Sequence, residues 1–206
     1  MPRHDIRGRI AYLDLDRHET GSAWFSVSRY PDGSRTARCE CHFDDVGLVR
    51  DVTLTLGAGW FCFAADEISC DSLDAEGRPR HHRRAYHGPV PAFGAHPILN
   101  DGFWTALFDL SRPDEVQRLA GSITYSKEMI GNERIGIQTF DLDVRYLGEE
   151  DVSVPAGTFH CRAFSAQILG LEAPFRLWTW SDDYIIVRET WAQMPATFEL
   201  AELQVR

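Results

Sequence analysis

The chain has 206 residues, 44% hydrophobic and 25% charged, which suits one soluble globular domain over residues 1–206 with a core large enough to need no disulfides. A formal net charge of −10 argues against nucleic acid and anionic membrane surfaces as partners, and no apolar run approaches the roughly 20 residues that span a bilayer. Met1 to Ile10 carry positive charge with no apolar stretch behind them, so the expected location is the cytoplasm.

Period-two alternation governs the first part of the chain. From Ala23 to Tyr30, Ala23, Phe25 and Val27 oppose Trp24, Ser26 and Ser28. Pro31-Asp32-Gly33 is a turn, with proline preset near φ −65° and glycine open to positive φ. Arg35 to Phe43 places Ala37, Cys39, Cys41 and Phe43 on one face, and Leu48 to Leu56 does the same with Val52, Leu54 and Leu56. Gly57-Ala58-Gly59 is another turn, and Trp60 to Ala65 is apolar on both sides, as in a central strand. The five cysteines include no C-x-x-C pair and are read as reduced thiols. Cys39 and Cys41 share a face and His42 points away, so no metal is expected.

The rhythm breaks at Asp74 to His96, read as a long loop. Arg80 to Arg84 with His87 form its basic group, which suits an anion trap or a solvated loop. Asn100 to Leu110 sets Phe103, Trp104, Leu107 and Phe108 at helical spacing. Ser111 or Asp114 could start a second short helix to Leu119, with Pro113 in its first turn. Lys127, the single lysine, reflects either compositional habit or a catalytic amine. Strands then resume over Arg134 to Tyr146, Thr158 to Leu169, Phe175 to Trp180, Tyr184 to Trp191 and Ala196 to Val205. The fold class is α+β: a large antiparallel sheet with one or two short helices inserted between two strand-rich halves. A sheet of that size must curl, because strand twist accumulates and edges need protection.

Val154-Pro155-Ala156-Gly157-Thr158-Phe159 is hairpin chemistry. With the later W-x-W-S-D-D-Y at Trp178 to Tyr184 and V-R-E-x-W at Val187 to Trp191, it resembles an uncharacterised bacterial family whose members carry a V-P-A-G-T-F hairpin and a later tryptophan strand. At fold level that family resembles the LolA-type lipoprotein carriers and the violacein-pathway enzyme VioE. The resemblance covers about the last third of the chain. It implies a half-barrel, an incomplete barrel of curved antiparallel sheet closed by helices around an apolar cavity. The chain departs from the carriers in showing no export signal and in the polar residues Arg176, Arg188, Glu189 and His160 among its aromatics.

Within such a cavity Trp178 and Trp180 form an aromatic wall with Arg176 as anchor for a carboxylate or phenolate, unless they are an outer layer with arginine lying across indoles. Trp104 and Tyr146 are added to the substrate-binding set. Glu189 shares a face with Val187 and Trp191, so burial would raise its pKa and fit it for proton transfer. The alternative is a surface salt bridge. His96, ahead of Asn100 and Asp101, is a candidate general base or a loop cap. No G-x-G-x-x-G, P-loop, G-x-S-x-G or H-E-x-x-H occurs, so no cofactor is expected. The leading reading is a cytoplasmic, cofactor-independent lyase, isomerase or cyclase acting on an aromatic or apolar acid, with Glu189 and His96 moving protons. Its partners are a small hydrophobic or aromatic ligand and, as a homodimer, a second copy of the chain. The alternatives are a non-catalytic lipid or hydrophobic-ligand binder, and a structural or interaction protein whose concave face is filled by its own side chains.

Overall fold

The computed structural model describes residues 4–32, 35–43, 47–56, 63–64, 67–73, 79–85, 89–90, 98–126, 135–192 and 196–206, with side chains for 4–32, 35–39, 98–120, 140–192 and 196–206. Fourteen strands appear among them: β1 (His4–Leu13), β2 (Glu19–Arg29), β3 (Arg35–Phe43), β4 (Gly47–Leu56), β5 (Phe63–Ala64), β6 (Glu67–Leu73), β7 (Pro79–Ala85), β8 (Pro89–Val90), β9 (Gln117–Ser126), β10 (Ile135–Val154), β11 (Gly157–Ile168), β12 (Phe175–Trp180), β13 (Ile185–Trp191) and β14 (Ala196–Val205). Twelve form one sheet in the order β7-β6-β4-β3-β2-β1-β14-β13-β12-β11-β10-β9, and β5 pairs with β8. Every pairing is antiparallel, and the sheet is open, with β7 and β9 at its ends. Its middle is a seam between chain ends: Ile6 lies opposite Val205 and Tyr12 opposite Phe198.

The sheet curls. Four inter-strand steps of ~4.8 Å would separate β3 from β13 by roughly 19 Å if it were flat. Yet Arg35, at the start of β3, places Nε 3.3 Å from Oδ1 of Asp183, in the turn before β13. His4 Nε2 and Arg29 Nη1 approach the same carboxylate at 3.5 and 3.6 Å. The concave side holds one continuous core that includes Ile6, Ile10, Phe25 and Val27 from the first half and Leu142, Phe164, Phe175 and Leu177 from the second.

A single short helix, α1 (Leu99–Trp104), followed by a 3₁₀ turn at Thr105–Leu107, packs onto the concave side of β12 and β13. All six residues of α1 are buried. The second helix expected before Leu119 does not form. The Asp109 carboxylate accepts from the Ser111 backbone and hydroxyl and from Arg112, Gln117 bonds back to the Asp109 backbone, and β9 starts at Gln117. The stretch read as a loop over Asp74 to His96 contains strands β7 and β8.

Gly102 sets how closely the helix approaches the sheet. A Cβ there would lie 2.1 Å from the Tyr184 carbonyl oxygen, a backbone atom with little freedom to retreat. Gly102→Ala is expected to lower the unfolding free energy by about 2–3 kcal/mol, in the range for overpacking a tight contact, as read by urea denaturation.

β10 runs past Tyr146, where its alternation was expected to stop. Its register with β11 shifts between Tyr146 and Gly148, and Gly148 takes φ +111°. The strand bends there and continues to the two-residue turn Pro155-Ala156, so V-P-A-G-T-F is a hairpin. That hairpin lies across β12–β14 on the face opposite α1. Ala156 N donates to Leu200 O, Arg188 Nη2 to Ser153 O, and Trp178 Nε1 to Glu150. Phe159 meets Trp180 edge-on at 5.4 Å. This part of the sheet is therefore covered on both faces.

Candidate functional site: a buried pair of carboxyl groups

The second covering decides which residues of β12 face the core. Phe175, Leu177 and Thr179 are buried on the concave side. Arg176, Trp178 and Trp180 alternate to the other face, where Arg176 is exposed and the two indoles are half-buried beneath the hairpin. The expected aromatic wall with its arginine anchor is therefore not on the concave face. Trp104 and Tyr146 are. Trp104 is buried with its ring edge-on to Phe164 and Phe175, and Tyr146 packs against Phe108 and Phe164. Burial, then the nearby Glu149 charge, raises the Tyr146 phenol. His96 and Lys127 lie outside the described residues.

Glu189 sits mid-strand in β13, opposite Leu177 on one side and Phe198 on the other, with 0% exposure. Trp191 Nε1 donates to its Oε1 at 2.5 Å, and the Trp191 ring stacks on Phe175 at 4.3 Å with 2° between the planes. From α1 comes a second buried carboxyl, Asp101, beside the buried amide of Asn100. Sequence reasoning found Glu189 but missed Asp101. An acidic residue in a helix's first turn is ordinary sequence, and nothing local shows it will meet a strand 88 positions away.

Burial pushes Glu189 well above the usual carboxylate range, the Asp101 charge pushes it further, and the Trp191 indole N–H opposes both. No cation is among the causes that act on Glu189. Among the described residues, the buried Glu189 Oε2 has no hydrogen-bond donor and the buried Asn100 Nδ2 has no acceptor. A hydrogen bond between Glu189 and Asp101 needs a proton on one of them, and that bond is among the causes that raise Glu189.

Glu199, on the adjacent strand and the opposite face, shows what is missing. Burial raises its carboxyl too, but Arg17 Nη2 at 2.7 Å and Arg188 Nε at 2.9 Å more than offset that and leave it lowered overall. Two buried glutamates one strand apart are thus shifted in opposite directions, Glu189 upward by burial and by Asp101, and Glu199 downward by Arg17 and Arg188.

Elsewhere, His160 on the hairpin is exposed and bonds Asp151 through Nδ1 at 2.8 Å and Glu149 through Nε2 at 3.3 Å, and those bonds raise its pKa. Among the described residues, Asp14, Asp16 and His18 bring ligand atoms within 4.8 Å of one another in the β1–β2 turn. The turn is open to solvent, and its Asp14 carboxylate already accepts from the His18 backbone N–H.

No family model matches the chain, and no curated protein matches it. Two solved structures resemble it along nearly its whole length. One, provisionally named a lipoprotein, is from Parabacteroides distasonis ATCC 8503. It shares 15% identity over 97% of this chain and 94% of that one, with a TM-score of 0.46. The other, provisionally named an exported protein with a YmcC-like fold, is from Bacteroides fragilis NCTC 9343. It shares 10% identity over 98% and 95%, with a TM-score of 0.41. Neither carries the name of a LolA-type carrier or of VioE, so the resemblance read from V-P-A-G-T-F reduces to a curved antiparallel sheet. The expectation of a cytoplasmic enzyme is corrected on the same finding. It rested on Met1 to Ile10 and on the parity of β12, whereas the similar structures carry lipoprotein and export names. Nothing among the described residues supports the small hydrophobic or aromatic ligand or the homodimer. The one membrane statement that stands is that, among the described residues, no helix is long and apolar enough to cross a bilayer.

Proposed function

We propose that residues 1–206 form one domain acting as a structural or interaction protein, a half-barrel that encloses a segment of itself. The observation that carries this reading is α1: all six of its residues are buried against the concave side of β12 and β13, the place where a half-barrel would receive a guest. Trp104 and Phe108 reach from this segment to Phe164, and Trp104 also meets Phe175. In this reading Trp104 and Tyr146 are core, and Glu189 with Asp101 anchors the helix to the sheet.

Contact with other molecules then falls to the convex face. On it the half-exposed indole of Trp24 lies under the Arg9 guanidinium at 5.8 Å, and Arg9 is held by Glu19 and Glu202. Such an exposed aromatic on an ordered sheet face suits association with a macromolecule. The experiment is titration with the apolar fluorophore 8-anilinonaphthalene-1-sulfonate at mildly acidic pH. A filled concave face gives no saturable fluorescence gain. Saturable binding that Trp104→Phe weakens would overturn the reading.

A further inference from the structure

The two ends of the open sheet differ in charge. β9 at one end contains Arg118 and no acidic residue. β7 at the other end contains Arg80, His81, His82, Arg83 and Arg84 in succession, within a chain of net charge −10. By alternation Arg80, His82 and Arg84 share one face of the strand, and His81 and Arg83 share the other. Among the described residues β7 pairs with β6 alone, from Glu67 opposite Ala85 to Leu73 opposite Pro79. Its second edge is therefore a row of backbone N–H and C=O groups that no described strand takes up.

The net charge of the whole chain does not decide what can approach that edge. Salt screens exposed charges over about 8 Å at physiological strength. A strand added to β7 would lie ~4.8 Å from it and about 10 Å from β6, so the arginines of β7 outweigh Glu67 and Asp71 of β6. A second copy of the chain does not fit. β7 against β7 sets like charges opposite one another, and β9 brings Arg118 without an acid. A nucleic acid or acidic polysaccharide would meet the charges and leave the backbone row unpaired, whereas an extended polypeptide answers both. We propose that β7 is a docking edge for an extended acidic segment of a partner protein, which joins the large sheet as a further strand and sets its carboxylates against Arg80, Arg83 and Arg84. Because basic residues occupy both faces of β7, the segment that fits carries acids at successive positions. This edge is separate from the convex-face contact at Trp24 and does not depend on it.

Titration of the full chain with a fluorescein-labelled peptide tests it, read by fluorescence anisotropy and by hydrogen exchange. The peptide has the length of β7, seven residues, and is rich in successive glutamates. Saturable binding is expected, weakening as salt is added. In the bound state exchange over residues 79–85 slows and exchange over β9 does not. Arg83→Glu combined with Arg84→Glu should weaken binding by about tenfold or more, since two attractive pairs become repulsive. Should that protein not fold, Arg83→Gln with Arg84→Gln should weaken it in the same direction by less. The same peptide fully N-methylated keeps every charge, cannot donate to the ladder, and should not bind. Equal binding by the methylated peptide, or by inorganic polyphosphate with equal protection of 79–85, leaves only an anion patch and overturns strand addition. Protection that appears at β9 instead, or no saturable binding at low salt, overturns the site itself.

Discussion

Replacing Asp183 by alanine lowers the unfolding free energy by about 3–5 kcal/mol, the range for removing one partner of a buried ion pair. The loss arises mainly at Arg35. That side chain is 6% exposed, Asp183 is 5% exposed, and Arg35 also donates from Nη2 to the Asp182 carbonyl. Burial is the largest influence on Arg35 and lowers its pKa, and the bond to Asp183 is the largest opposing one. Arg29 is too exposed for its weaker contact to contribute much. Without the carboxylate, Arg35, Arg29 and His4 converge on one another. The damage is architectural, because this contact ties the β1–β3 side of the curl to the β12–β13 turn. Chemical denaturation followed by circular dichroism measures the effect, and Asp183→Asn should lose less because its amide oxygen still accepts a hydrogen bond. A loss below about 1 kcal/mol in the alanine variant, ordinary for an exposed ion pair, would show that the curl does not depend on this contact.

Glu189→Gln is expected to stabilise the protein at neutral pH and to flatten its response to pH. The sign follows from proton binding. Below the ordinary glutamate value of 4.5 both folded and unfolded chains hold the proton, and the buried carboxyl carries no penalty. As pH rises past that value the unfolded chain releases the proton while the folded chain keeps it, since burial and Asp101 hold Glu189 well above it. Stability therefore falls by about 1.4 kcal/mol for each pH unit across which the two states differ by one proton, and the fall ends once pH passes the folded value. Glutamine removes the slope while still accepting from Trp191. Melting curves of both proteins at matched pH test this, and parallel curves between pH 5 and 7 would remove the buried acid from the account. The direction is opposite to that of Glu199, whose lowered carboxyl supports stability at neutral pH and loses that support as pH falls through its folded value.

Much of the strand pattern was legible in the sequence. The edges of β3, β12 and β14 fall where the alternation over Arg35 to Phe43, Phe175 to Trp180 and Ala196 to Val205 places them. Parity along β12 was not legible. When a strand is buried on one face, the apolar set identifies the inside. Here the β10–β11 hairpin covers the second face, so Phe175 and Leu177 on one side and Trp178 and Trp180 on the other are all drawn out of water, and apolar character no longer discriminates. Bulges compound the difficulty. The register shifts between Trp178 and Thr179, so Ile185, Ile186 and Val187 are all buried and the alternation is lost where it was needed. The length of β10 was hidden in the same way, because the alternation ends at Tyr146 whereas Gly148 lets the strand bend and continue. Of the acid pair, Glu189 was visible through its apolar neighbours, whereas Asp101 becomes part of it only through tertiary packing.

The seam between β1 and β14 has a consequence for how the chain reaches this state. It divides the large sheet into two blocks of six strands, β7 to β1 and β14 to β9. It is stitched by contacts as distant as Arg9 with Glu202, 193 positions apart, and by the reciprocal backbone bonds of Asp5 with Arg206. Until residues 196–205 have left the ribosome, β1 has no partner on that side and is a bare edge with Ile6, Ile10 and Tyr12 uncovered. The strand that joins the two blocks is thus made after every other strand of the sheet among the described residues. Contacts of such span fold slowly, so the nascent protein faces its greatest hazard of pairing with another chain in the interval before β14 docks.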